Sequence, residues 1–118
     1  MVVKISFKIK KEELKLDVKE LNTLIQQVIG LMFRKSSPPL LFLQKKPIIF
    51  SIHSFFCRPF VAIWFLDNKI IDIKTVRPNQ FSVKPRDKFD KLLEVPDNNK
   101  EYKRLNYILS TMAETFKY

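Results

Sequence analysis

The segment from Pro47 to Leu66 constrains the fold most, because these twenty residues are apolar at all but a few positions. The segment is long enough to cross a bilayer, but Arg58 and Pro59 lie just past its middle. An arginine near the bilayer centre costs about 2.5–3.5 kcal/mol, and a proline breaks the helical hydrogen-bond ladder. We therefore predict two buried strands that meet at Arg58-Pro59, and no membrane-spanning helix.

Alternating apolar and polar residues predict further strands, because successive side chains of a strand point to opposite faces. Turn residues at Asp67-Asn68-Lys69 predict a hairpin, and Lys45-Lys46-Pro47 predicts a second turn. The strands expected from these patterns are 3–9, 14–18, 40–43, 48–57, 60–66, 70–76 and 89–95.

Two segments carry apolar residues at helical spacing. The first predicts a short helix near 19–29, followed by Gly30, the only glycine of the chain. Glycine at a helix C-terminus commonly takes the left-handed conformation. The second predicts a C-terminal helix over about 100–116, with Asn98 as its N-cap three residues before Glu101.

These elements predict an α+β fold, with a mainly antiparallel curved sheet or small open β-barrel and the two helices packed on it. The chain has 118 residues, so we expect a single domain over 1–118 on a prior of about 150 residues per domain. A half-closed sheet leaves a mouth, which is where ligands commonly bind.

The positive charge of the chain is concentrated in its middle segment, residues 34–86. The net charge is +10, and residues 34–86 contribute ten basic and two acidic side chains. Such a surface suits phosphates, either in nucleic acid or in a smaller anion. The other interpretation is a solvated surface whose charge only keeps the protein soluble.

Several kinds of site are excluded by composition. One glycine rules out a glycine-rich phosphate loop, and one cysteine with one histidine rules out a four-ligand zinc site and an intrachain disulfide. His53 and Cys57 would lie about 13 Å apart on a regular strand, too far for a catalytic pair. We therefore expect no catalytic residues, no metal and no cofactor.

The candidate binding residues are basic. For an anionic ligand we select Arg34, His53, Arg58 and Arg77, since guanidinium groups can clamp carboxylates or phosphates. For nucleic acid, the alternative, the candidates are Arg34, Lys35, Lys45, Lys46, Lys84 and Arg86.

Several short motifs, in the same order along the chain, resemble the domain-of-unknown-function 192 family, in its archaeal form. The motifs are Gly-Leu-Met-Phe-Arg at 30–34, the strands at 50–57 and 60–67, Val-Arg-Pro at 76–78 and Leu-Leu-Glu-Val-Pro at 92–96. The family-like part covers about 14–96. The resemblance implies a mainly antiparallel β fold with a short helix near the first motif, and it implies no particular activity.

The chain departs from the family pattern at two places. Val61-Ala62 stands where the family usually has an aspartate, so any role of that carboxylate is lost here. Asp97-Asn98-Asn99 and the helix replace the family's closing Gly-Asp turn and last strand.

The leading hypothesis is a non-enzymatic binding module whose basic rim recognises an anionic small molecule or protein partner. The alternatives are a nucleic-acid-binding protein that uses 34–86 and an interaction protein that self-associates through its C-terminal helix. Lysines interrupt the first apolar run, so we expect no signal peptide, no membrane partner and a cytoplasmic location.

Overall fold

The computed structural model describes residues 2–21, 30, 32, 34–80 and 82–115, with the backbone alone at 112–115. Among these residues six strands form one sheet, in the order β1-β2-β3-β6-β4-β5. β2 and β3 run parallel, and the other neighbouring strands run antiparallel. The elements are β1 (Val2–Ile9), β2 (Glu12–Leu21), β3 (Leu40–Ile48), β4 (Phe60–Leu66), β5 (Lys69–Val76), β6 (Phe89–Pro96) and α1 (Glu101–Thr115).

The sheet is strongly curled, as a contact between Phe7 of β1 and Phe65 of β4 shows. The two ring centroids lie 5.7 Å apart and meet edge to face. Three strands separate β1 from β4, so a flat sheet would hold them about 19 Å apart at about 4.8 Å per strand. The sheet is therefore a half-barrel, which confirms the predicted curved sheet.

Helix α1 lies across the opening of the half-barrel. Its Leu105 is buried in the core of the inner, concave face. The Thr75 hydroxyl of β5 donates to Asn106 Oδ1 at 2.6 Å, and the Lys10 ammonium after β1 donates to Thr111 Oγ1 at 3.2 Å. The helix thus contacts both edges of the sheet and covers apolar residues that would otherwise face water.

A second core covers the outer, convex face of the sheet. Two loops, residues 49–59 and 77–88, pack over it and are joined by an antiparallel bridge between Ile52 and Val83. The central strands are therefore covered on both faces, which explains why β4 is apolar at every position. The larger buried side chains here are Leu40, Phe60, Trp64, Phe89 and Leu92.

The predicted hairpin and C-terminal helix are confirmed. Asp67 and Asn68 have φ angles of 50° and 65°, which are the angles of a type I′ hairpin turn. The helix cap is displaced by one residue, because Asn99 Oδ1, and not that of Asn98, accepts the Glu101 amide at 2.9 Å.

Two predictions for the middle of the chain are wrong. Residues 49–57 form a loop and not a strand, because their backbone hydrogen bonds go to the 77–83 loop and close a turn at Cys57. Lys45-Lys46-Pro47 lies within β3 and is not a turn, since β3 pairs with β6 again beyond a register shift.

The predicted helix near 19–29 is wrong at its start. Residues 19–21 belong to β2, because they pair in parallel with 40–42. Residues 22–29 lie outside the described residues. Gly30 has a φ of 45°, as expected for glycine in the left-handed region. None of the helical segments described by the structure is long and apolar enough to span a membrane.

Candidate functional site

Three of the four predicted ligand residues, Arg34, Arg58 and Arg77, lie in segments that enter or leave the sheet at the same end. Phe60, the first residue of β4, pairs with both Pro96 at the end of β6 and Val76 at the end of β5. Arg58 therefore precedes β4, and Arg77 follows β5, at that end. We call this end, with Arg34, Lys35, Arg58 and Arg77, the basic end.

Arg58 is fixed at the basic end by Asp97. Its Nε and one terminal nitrogen donate to the two carboxylate oxygens at 3.0 and 2.8 Å, a bidentate ion pair. This hydrogen bond raises the pKa of Arg58, and the Asp97 amide donates to the Pro59 carbonyl at 3.0 Å. The Arg58 side chain is largely exposed, whereas that of Asp97 is partly buried, so the ion pair orients the guanidinium more than it stabilises the fold.

The segment that carries Arg34 is attached to the same loop. The Ser37 amide donates to Asn98 Oδ1 at 3.2 Å, and Asn98 Nδ2 donates to the Ser37 carbonyl at 3.0 Å. The first residue of β3, Leu40, pairs with Glu94 near the end of β6. Arg34 is exposed, and its side chain forms no ion pair with the described residues.

Arg77 is positioned by a buried serine, Ser54, which connects the two outer loops. The Ser54 hydroxyl donates to the Arg77 carbonyl at 2.5 Å and accepts the Gln80 amide at 2.7 Å. The Ser54 carbonyl accepts the Asn79 amide at 2.9 Å. These bonds fix the backbone at Arg77, whereas its side chain is exposed and has no ion pair within the described part of the chain.

His53 precedes Ser54 and is half-buried. Its Nδ1 accepts the Phe55 amide at 3.3 Å, and the two rings lie 5.4 Å apart. The structure thus places His53, Arg58 and Arg77 on two loops that are bonded to each other.

Phe56 lies at the tip of the 49–59 loop in a strained conformation. Its φ is 60°, its side chain is 62% exposed, and its amide donates to Asn79 Oδ1 at 3.2 Å. The left-handed conformation costs a residue with a Cβ roughly 1–2 kcal/mol. An exposed aromatic ring held at that cost, two residues before Arg58, is typical of a surface that contacts something else.

A buried carboxyl group, Glu94, lies beneath the basic end. Glu94 is on β6 between Leu40 of β3 and Ala62 of β4, and only 6% of it is exposed. Burial raises its pKa to about 8, so it is mostly protonated at neutral pH. None of the described side chains forms an ion pair with it.

Cys57 faces the same outer core and is a thiol at neutral pH. Burial, and to a lesser extent the charge of Glu94, raises its pKa to about 11. His53 and Cys57 do not lie on a regular strand, so the spacing of about 13 Å along a strand does not apply. The protonated thiol argues against a nucleophilic pair on different grounds, because only the thiolate is a good nucleophile.

The predicted nucleic-acid residues are dispersed over the molecule. Arg34 and Lys35 are at the basic end, whereas Lys45 and Lys46 lie about 17–20 Å along β3 from its first residue, at about 3.3 Å per residue. The remaining two, Lys84 and Arg86, run beside the edge strand β5. There the Lys74 ammonium donates to the Lys84 carbonyl, and the Arg86 amide donates to Asp72 Oδ2 at 3.0 Å.

Sequence reasoning missed Asp97, Ser54 and Glu94. The sequence indicates Asp97 only as part of a turn, and nothing in the sequence alone pairs it with Arg58. A signal for Glu94 was present, since it stands between Leu93 and Val95 in an apolar strand. That signal becomes meaningful only once β6 is known to be central. Among the described residues no group of three or more metal-ligating side chains comes together.

No protein-family model and no curated protein sequence matches the chain. A solved structure of a protein of unknown function from Novosphingobium aromaticivorans resembles it with a TM-score of 0.75 and 18% identity, over 89% of this chain and 79% of that one. A second solved structure, of a protein from Sinorhizobium meliloti described provisionally as a transcription regulator, resembles the chain with a TM-score of 0.71 and 18% identity. The match covers 86% of this chain and 82% of that one. At this identity the likeness establishes the fold alone.

Proposed function

We propose that this protein is a non-enzymatic binding module of the cytoplasm that recognises an anionic ligand or protein partner at the basic end. The observation that carries the proposal is that Arg34, Arg58 and Arg77 come from three separate segments to one end of the sheet. Arg58 is held by Asp97, so Arg34 and Arg77 are the two arginines of the basic end that have no carboxylate partner among the described residues.

The surroundings of these arginines support a binding role. Phe56, which is largely exposed, and His53, which is half-buried, lie on the same loop as Arg58. Such a mixture of guanidinium and aromatic groups suits an anion with an apolar or planar part. Phosphate and carboxylate groups are both compatible with this chemistry.

A thermal-shift experiment with inorganic pyrophosphate tests the proposal. At ten times its Kd a ligand adds about 1.4 kcal/mol to the free energy of unfolding, which raises Tm by several degrees. We expect the rise in the natural protein and its loss in the variant Arg34→Gln/Arg77→Gln.

The matched control is Lys45→Gln/Lys46→Gln, which removes the same charge at the other end of β3. This control keeps the Tm rise if the basic end is the site. Equal loss in both variants would mean that only total charge matters, and no rise in the natural protein at millimolar pyrophosphate would contradict the proposal.

Nucleic-acid binding is the alternative, and the provisional description of the Sinorhizobium meliloti structure favours testing it. The dispersed lysines argue against a compact groove, but not against a weak electrostatic surface. Anisotropy of a labelled single strand and a duplex, measured at low and moderate salt, distinguishes the two. A steep loss of affinity with salt, larger still in Lys45→Glu/Lys46→Glu, would support nucleic-acid binding.

Self-association through the helix has less support. The apolar residues Leu105 and Ile108 of α1 are buried in the inner core of the same chain, so this part of the helix is already occupied. Tyr107 is 71% exposed, but a single exposed side chain does not form an interface.

We also propose that the chain is a divergent member of the domain-of-unknown-function 192 family. Five matched segments in order support membership, as does the positive φ of Gly30 within the first of them. An alignment of this chain with family sequences from archaea tests this, because true relatives would retain the five segments in the same order.

A further inference from the structure

A cavity of about 270 Å³ opens on the inner face of the half-barrel. Four apolar side chains form its walls: Ile5 and Phe7 of β1, Leu41 of β3 and Phe65 of β4. Its volume is just below the roughly 300–1,000 Å³ of sites for drug-sized molecules, so it suits a small ligand.

Three polar residues, Ser6, Asn68 and Lys91, also line the cavity. Ser6 lies between Ile5 and Phe7 on β1, so its hydroxyl points to the opposite face of the sheet, and the polar side chains at the cavity are those of Asn68 and Lys91. The Lys91 ammonium donates to Asn68 Oδ1 at 2.5 Å, and no carboxylate of the described residues forms an ion pair with it. Because Asn68 uses its oxygen, its amide nitrogen still has two hydrogens to donate. The cavity therefore combines apolar walls with an ammonium and an amide donor.

The acidic residue next in sequence does not neutralise this ammonium. Asp90 and Lys91 are consecutive on β6, so their side chains point to opposite faces of the sheet. Asp90 Oδ2 instead accepts the Asp67 amide at 3.2 Å. The half-buried Lys91 ammonium therefore lies beside an apolar cavity with only the neutral Asn68 as a partner, an arrangement that favours binding of an anion.

We propose that this cavity binds a small monocarboxylate with a compact apolar body. Its carboxylate accepts hydrogen bonds from Lys91 and Asn68, and its apolar body packs between Phe7 and Phe65. The site is independent of the basic end, because Lys91 and Pro96 are separated by about 17 Å along β6, at about 3.3 Å per residue.

Titration with benzoate, followed by calorimetry or by amide chemical shifts, tests the proposal. We expect saturable binding to the natural protein, and binding of benzyl alcohol at least about tenfold weaker, since the alcohol lacks the charge. The variant Lys91→Gln should also weaken benzoate binding by about tenfold or more. Lys88→Gln is the matched control, because Lys88 is exposed and its loss changes the net charge equally.

A second variant keeps the test decisive if Lys91→Gln unfolds the chain. Asn68→Asp retains a residue that tolerates the left-handed turn and places a carboxylate beside the Lys91 ammonium. Loss of benzoate binding in this folded variant supports the proposal. Benzoate binding unaffected by either substitution, or no saturable binding at millimolar benzoate, would overturn it. Neither outcome bears on the basic end, whose pyrophosphate response should persist in both variants.

Discussion

Glu94 makes the stability of the protein depend on pH. Its pKa rises from 4.5 to about 8 on folding, so between these values the folded state binds more protons than the unfolded state. The stabilisation is fully present below about pH 4.5 and is lost as pH rises towards 8, at up to about 1.4 kcal/mol per pH unit. We expect urea unfolding to give a lower free energy at about pH 8 than at about pH 5.

The variant Glu94→Gln isolates this effect. Glutamine has nearly the same shape as glutamate and no charge. The free energy of unfolding of this variant should therefore decline much less between about pH 5 and about pH 8, and at about pH 8 it should exceed that of the natural protein. A decline of the same size in Glu94→Gln would show that other groups cause the pH dependence.

Cys57 should react slowly with thiol reagents in the folded protein. Its pKa of about 11 leaves little thiolate at about pH 8, and its side chain is buried. The measurement is the rate of reaction with a disulfide reagent in native buffer and in urea. Comparable rates in the two conditions would contradict both the burial and the raised pKa.

Helix α1 contributes to stability through its inner face. Replacing Leu105, which is fully buried, by alanine leaves a cavity and should lower the free energy of unfolding by about 2–5 kcal/mol. Tyr107→Ala is the control on the opposite side of the helix and should change the free energy of unfolding by no more than about 0.5 kcal/mol. Chemical denaturation measures both, and similar losses would mean that the helix does not pack as described.

The sequence correctly predicts those secondary-structure elements that are determined by neighbouring residues. The Asp67-Asn68 turn and the helix spacing depend on neighbouring residues, and both are confirmed. The 49–57 segment has the composition of a buried strand, but it is buried by packing over the outer core, with its backbone bonded to another loop. The composition of a segment indicates that it is buried but does not indicate which residues its backbone hydrogen-bonds to. A buried loop of this kind therefore cannot be distinguished from a strand in a single sequence.

For the molecule as a whole, the curl of the sheet decides which residues meet. The sequence indicates a curved sheet and an excess of positive charge in 34–86, but not the strand order, which places β6 at the centre. That order puts the first residue of β3, the start of β4 and the end of β5 at one end, and sends Lys45 and Lys46 to the other. The arginines proposed to bind an anion were therefore identifiable by residue type, whereas their convergence depends on long-range pairing.

The measurement that tests the central claim most directly is an amide chemical-shift map of the protein titrated with pyrophosphate. We expect saturable changes to cluster at 34–37, 53–58 and 77–80, the segments that form the basic end. Changes centred on 45–48 and 84–86, or small shifts spread evenly over all lysine-bearing segments, would contradict a binding site at the basic end.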